Sequence, residues 1–97
     1  MLRLLHIRPE NRAAFQAAIT RLSEIRRRDG AYAWGVAEDT ADTQRIVEWF
    51  MVESWAEHLR QHRRVSRADA DLQQEVTAFH IGEEPPRVQH LMNLPAG

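Results

Sequence analysis

The chain has 97 residues, 13 basic and 14 acidic side chains for a formal charge of −1, and no cysteine; this supports one small domain that association with another subunit would help to stabilise. The even charge gives no electrostatic case for nucleic acid, the lack of Cys excludes disulfides, thiolate nucleophiles and Cys–zinc sites, and the use of Arg at every basic position excludes Schiff-base chemistry, which needs a Lys amine. No apolar run approaches the roughly 20 residues needed to span a bilayer, and Met1–His6 is too short and polar for a signal peptide, so the expected compartment is cytoplasmic.

Met1 to Ile7 reads as a strand, its apolar residues mixed with Arg3 and His6. Pro9 suits the first turn of a helix, and Glu10 suits the positive end of its dipole. Phe15, Ala18, Ile19, Leu22 and Ile25 recur at helical spacing. Arg26, Arg27 and Arg28 close that helix where cations suit the dipole, and they read as a solvated helix end. Asp29-Gly30 stops it.

Ala31 to Glu38 is the second strand. Ala31, Ala33, Gly35 and Ala37 fall on one face, Tyr32, Trp34 and Val36 on the other; the small face lets another element or a ligand approach closely. Asp39 to Thr43 is a polar turn. Gln44 to Glu53 is the third strand, pairing with the second as a hairpin. It is apolar on both faces, with Val47, Trp49 and Met51 on one and Ile46, Phe50 and Val52 on the other. One layer of helices covers one face only. A second copy of the chain, packed sheet against sheet, is the economical cover for the other. Glu48 lies among these apolar neighbours, and a buried acid needs a partner, so an ion pair with an Arg or His is expected.

Ser54 opens a second helix with a capping box completed by Glu57. That helix runs from about Trp55 to Arg64 and sets Trp55, Leu59 and His62 on one face, with His58 one turn before His62. Ser66-Arg67-Ala68-Asp69 offers another cap, followed by Ala68, Leu72, Val76 and Phe79 at helical spacing, ending near Gly82. Pro85-Pro86 forbids a helix. Arg87 to Asn93 alternates as a final strand. The order is β-α-β-β-α-α-β, an α+β ferredoxin-like fold with its second helix broken in two, closing as a dimeric α+β barrel. Residues 1–93 form the single domain and 94–97 a tail.

Arg27-Arg28-Asp29-Gly30-Ala31, Trp34-Gly35, Glu48, the run Ser54 to His62, Phe79-His80-Ile81-Gly82 and Pro85 to His90 together resemble one pattern. It is that of the soluble C-terminal domain of bacterial major-facilitator transmembrane secretion effector transporters, which in turn is similar to the antibiotic biosynthesis monooxygenase (ABM) superfamily of dimeric α+β barrels. The resemblance spans nearly the whole chain. It implies the fold, a homodimer and a relation to a membrane transporter. It does not fix an activity, because the superfamily includes quinone-forming oxygenases, haem-degrading enzymes and proteins with no known reaction. With no transporter segments in these residues, the chain reads as a free-standing relative or an excised domain.

His58 and His62 stand one turn apart, but two ligands fall short of a zinc site, and bulky Trp34, Trp49 and Trp55 would fill a haem pocket. No metal and no cofactor is therefore expected. Cofactor-free oxygenation of a polyphenol would need a dry pocket and a base. His62 is the candidate catalytic base, its ordinary pKa lying near neutrality. Trp34, Trp49, Trp55, His58 and Phe79 are the candidate ligand-binding residues, set between the helices and the sheet; parity leaves open which of Trp34 and Trp49 faces the helices. A plain aromatic core is the competing reading for the same residues. No nucleophile triad, phosphate loop or nucleotide fingerprint is present. The leading reading is a homodimeric ABM-like accessory domain that binds a small aromatic or hydrophobic compound. The alternatives are a cofactor-independent monooxygenase acting on a polyphenol and a non-catalytic dimerisation module associated with a transporter.

Overall fold

The computed structural model describes residues 1–54, 56 and 66–92. Four antiparallel strands, β1 (Leu2–His6), β2 (Ala31–Glu38), β3 (Arg45–Val52) and β4 (Arg87–Gln89), form one sheet in the order β2-β3-β1-β4. Helix α1 (Arg12–Arg28) separates β1 from β2, and α2 (Arg67–Thr77) lies between β3 and β4. This is the ferredoxin-like α+β arrangement expected from the sequence. The second helix expected from Trp55 to Arg64, apart from Ala56, and the tail lie outside the described residues.

Each element forms for a local reason. Pro9 begins a short 3₁₀ turn, Pro9–Asn11, that leads into α1. Phe15, Ala18, Ile19 and Leu22 give α1 its buried stripe, which continues through Ser23 and Arg26. Gly30 ends the helix at φ +109°, in the left-handed region that a Cβ disfavours, and its N–H donates to the Arg27 carbonyl at 3.1 Å. In the β2–β3 turn, the Asp39 and Asp42 carboxylates accept from the Ala41 and Gln44 amides, the local bonding that suits Asp to turns. Helix α2 starts at a reciprocal capping box: the Asp69 amide donates to Ser66 Oγ at 3.1 Å, and the Ser66 amide to Asp69 Oδ2 at 3.4 Å.

The core lies between the helices and one face of the sheet. Leu5 and Ile7 from β1 and its exit, Ile46 from β3, the α1 stripe, and Leu72 and Val76 from α2 are all buried there. Glu48 and Phe50 share that face with Ile46 and are buried too. The opposite face of the two central strands carries Leu2, Leu4, Val47, Trp49 and Met51, all half-buried, and the described helices do not pack on it.

Three sequence expectations are corrected in detail. A β-bulge between Ala31 and Ala33 inserts Tyr32 as an extra residue, so Ala31 pairs with Val52 and Ala33 with Met51. Ala31 is therefore buried while Tyr32 is 60% exposed, the reverse of strict alternation, because a bulge resets the parity of every residue before it. Helix α2 ends at Thr77, so Phe79 is placed by the following turn. The Arg run is not uniformly solvated: Arg26 is 7% exposed. It stands four residues beyond Leu22, and the helical repeat turns it onto the sheet.

Candidate functional site

The side chain that organises the sheet is Glu48. It is 0% exposed and sits on a central strand beneath α1. The Arg26 Nε donates to its Oε2 and the Arg26 Nη2 to its Oε1, both at 3.3 Å, so one edge of the guanidinium faces one carboxylate. The Trp34 indole N–H donates to Oε2 at 2.9 Å from the neighbouring strand. Arg3, directly opposite Glu48 in the β1–β3 register, brings Nη2 to 3.1 Å from Oε1. That contact is an ion pair without hydrogen-bond alignment, and Arg3 Nε and Nη2 have no hydrogen-bond partner among the described residues. Burial by itself would raise the Glu48 pKa. The charges of Arg26 and Arg3, with the hydrogen bonds from Arg26 and Trp34, outweigh it and hold the carboxyl below its ordinary value. For Arg3 the balance falls the other way: burial pulls its guanidinium below the ordinary value against the attraction of Glu48. The Arg26 guanidinium also lies 4.7 Å from the centroid of the Phe50 ring, a cation–π contact.

The expected ion pair at Glu48 is thus present, and it is a triad. Arg26 and Arg3 are the members that sequence reading did not single out. The signal was available: Arg3 shares parity with Leu5 and Ile7, and Arg26 falls on the apolar stripe of α1, so both charges sit where a core residue belongs.

The predicted site residues are dispersed. Trp34 faces the helices, packs on the core and anchors to Glu48. Trp49 lies on the opposite face, its ring laid across the backbone of Gly35, its ladder partner. A Cβ at Gly35 would come within 2.5 to 2.7 Å of the indole. That close approach explains the small residue there. Phe79 stands edge-on to Phe15, ring centroids 6.0 Å apart, against the core cluster. Trp55, His58 and His62 lie outside the described residues. His80, one residue beyond Phe79, accepts from the His6 amide at Nδ1 (2.9 Å), and its Nε2 is 3.0 Å from the Glu84 carbonyl. This assigns the neutral Nε2–H tautomer and makes His80 a brace between β1 and the loop before β4. Among the described residues no group of three or more His, Asp or Glu is placed to hold a metal ion.

A cavity of about 730 Å³ opens at the end of the sheet where β3 leaves and β1 begins. Met1, Tyr32, Phe50, Met51, Leu91 and Met92 supply its apolar surface. Glu53, Ser54 and His90 add polar groups. Trp34, Trp49 and Phe79 do not line it. Its volume falls within the range of about 300–1,000 Å³ usual for small-molecule sites.

Known structures share this architecture. A proposed antibiotic biosynthesis monooxygenase from Bordetella bronchiseptica superposes with a TM-score of 0.76 at 19% identity, covering 97% of this chain and 94% of that one. A protein from Mycobacterium tuberculosis gives 0.73 at 21% identity over 98% and 93%. A proposed antibiotic biosynthesis monooxygenase from Nitrosomonas europaea gives 0.73 at 15% identity over 99% and 90%. At such identities the likeness establishes the ABM-type fold alone. No curated protein sequence matches significantly. Among the described residues no helix is long and apolar enough to cross a membrane. The sequence profile of the transmembrane secretion effectors matches residues 4–96, and the chain belongs to that family.

Proposed function

We propose that this protein is a homodimeric, cytoplasmic ABM-like accessory domain that binds a small aromatic or hydrophobic compound in the cavity at the end of its sheet, in association with a membrane transporter. The observation that carries the reading is that cavity: drug-sized, walled by Phe50, Met51, Tyr32 and Leu91, with a few polar groups at its edge, the usual composition of a site that takes an apolar ligand and orients it. His62 is the group proposed to hold or accept a proton, with Trp55 and His58 as further ligand-binding residues; all three lie outside the described residues.

The sheet face on which the described helices do not pack supports the homodimer. Leu2, Leu4, Val47, Trp49 and Met51 are contiguous across the two central strands. A face of that kind fits a second sheet with a similar face, since an isologous contact meets itself.

Isothermal titration with 2-naphthamide, a neutral aromatic probe, tests the ligand site. Saturable binding at one equivalent per protomer is expected, and Leu91→Trp, which fills the cavity, is expected to abolish it. Absence of binding to the wild-type chain, or full binding to Leu91→Trp, overturns the reading.

A further inference from the structure

The segment between α2 and β4 is fastened to β1 at a histidine. His80 lies just past the end of α2, forms an isolated antiparallel bridge with Ile7, and is half-buried. Both of its ring nitrogens are used. Nδ1 accepts the His6 amide at 2.9 Å, and Nε2 stands 3.0 Å from the Glu84 carbonyl. The His6 carbonyl in turn accepts the Ile81 amide at 2.9 Å, so His6 holds the start of the loop by both backbone groups. This arrangement needs the neutral ring. With one proton, on Nε2, the ring donates to a carbonyl and keeps at Nδ1 the lone pair that the His6 amide requires. A second proton goes onto Nδ1 and sets N–H against N–H. The contact with His6 then changes from a bond to a repulsion, whereas the bond to Glu84 survives.

Charges of both signs surround the ring. From β1 come the His6 imidazole, its centroid 6.0 Å from that of His80, and Arg8, just past the bridge to Ile7. From β3 comes Arg45, the ladder partner of His6, which pairs with Asp39 at 3.8 Å. From α2 come its carbonyl end, with no basic residue in the last turn, and Glu75, which pairs with Arg21. The loop itself carries Glu83 and Glu84. The helix end and the two loop carboxylates favour a cation at His80; a charged His6, Arg8 and Arg45 oppose it. The bond from the His6 amide is what a proton on Nδ1 specifically removes. The loop leads into β4, a three-residue strand at the sheet edge paired with β1, and then into His90, Leu91 and Met92, which line the cavity. Loosening the loop at His6 therefore loosens the strand and the wall that follow it.

We propose that His80 is a proton-operated latch. In its neutral form it fastens the loop after α2 to β1, and uptake of a solvent proton at Nδ1 releases that loop and with it the anchorage of β4. Imidazole is the side chain whose ordinary titration falls near neutrality, so the latch opens on mild acidification, in a range where ordinary carboxylates stay ionised. The latch stands independently of what the cavity binds.

Amide hydrogen exchange followed by NMR on the full wild-type chain tests this at about pH 7.5 and about pH 5.5, to either side of the ordinary imidazole value of about 6.5. Each rate is normalised to that of an unstructured peptide at the same pH. Protection of the His6 amide is expected to fall about tenfold at the lower pH. The Ile7 amide, bonded to the Gln44 carbonyl at 2.8 Å, is the control and is expected to change by less than about twofold. Nitrogen shifts of the His80 ring are expected to report the Nε2–H tautomer at the higher pH and double protonation at the lower. His80→Ala is expected to leave the His6 amide poorly protected at both pH values. His6→Gln is expected to keep the pH response at that position, which separates the two imidazoles. The wild-type comparison decides the matter even if a variant fails to fold. Equal His6 protection at the two pH values overturns the proposal, and so does a His80 ring that stays neutral at the lower one. An equal fall at Ile7 marks a general loosening of the sheet in acid and overturns the latch. A pH response that persists in His80→Ala assigns it to another group and overturns the role of His80.

Discussion

Replacing Glu48 by Gln tests whether the buried triad behaves as a charged unit. The substitution keeps the side-chain volume and a carbonyl oxygen for the Trp34 indole, and it removes the one negative charge between Arg3 and Arg26. Those guanidinium groups lie 3.1 to 3.3 Å from the carboxylate oxygens. In an effective dielectric of about 20, each such contact is worth about 5 kcal/mol before desolvation is charged against it. Removing one partner of a buried pair costs about 3–5 kcal/mol in net terms, since the orphaned cations remain buried. For a domain of this size each kcal/mol moves Tm by roughly 4–8 °C, so Glu48→Gln should melt at least about 12 °C below wild type, measured by circular dichroism at one fixed protomer concentration. A companion variant, Arg3→Met/Arg26→Leu/Glu48→Leu, replaces the whole cluster with apolar side chains and should recover most of the loss. A cost below about 1 kcal/mol for Glu48→Gln, the range of an exposed pair, would refute the argument that these charges act in a dry environment.

The pH dependence follows from the same carboxyl. Its folded pKa is held below the ordinary 4.5, so its contribution is present above the unfolded value and is lost as pH falls through the folded value. Acid titration of the stability difference between wild type and Glu48→Gln should show that difference constant above pH 4.5 and shrinking below it; a difference that grows on acidification contradicts the assignment. Val47→Glu places a charge at the centre of the face left open by the described helices, opposite Leu4, and should convert the proposed dimer to monomer or unfold it by several kcal/mol; light scattering at micromolar concentration reads the mass, and a well-folded wild-type monomer would end the homodimer proposal. Gly35→Ala drives a Cβ into the Trp49 ring and should cost about 1–3 kcal/mol as an overpacked contact, with a shift in tryptophan emission as the indole lifts from the sheet; an unchanged melting point and spectrum would show that the ring has room to move.

The order of elements was legible in the sequence because it rests on local and periodic signals. Proline at the start of the first helix, glycine after it, the Ser66/Asp69 cap and the two apolar faces of β3 each act over a few residues or repeat along one element. The need for a partner at Glu48 was legible too, since a charge among apolar neighbours must be compensated. Other features required the tertiary structure. Which Trp turns toward the helices depends on the pairing of β2 with β3, and the bulge at Tyr32 reverses the facing of Ala31 and Tyr32 in a way no alternation rule reports. That Arg3 and Arg26 converge on one carboxylate depends on laying a helix over a strand 45 residues from Arg3 in the chain. The cavity is decided the same way, where the first residue of the chain, the end of β3 and the residues after β4 come together. Sequence carries the period of each element. The phase of one element against another is fixed when apolar faces meet and buried charges find their counterparts, and those contacts are long-range.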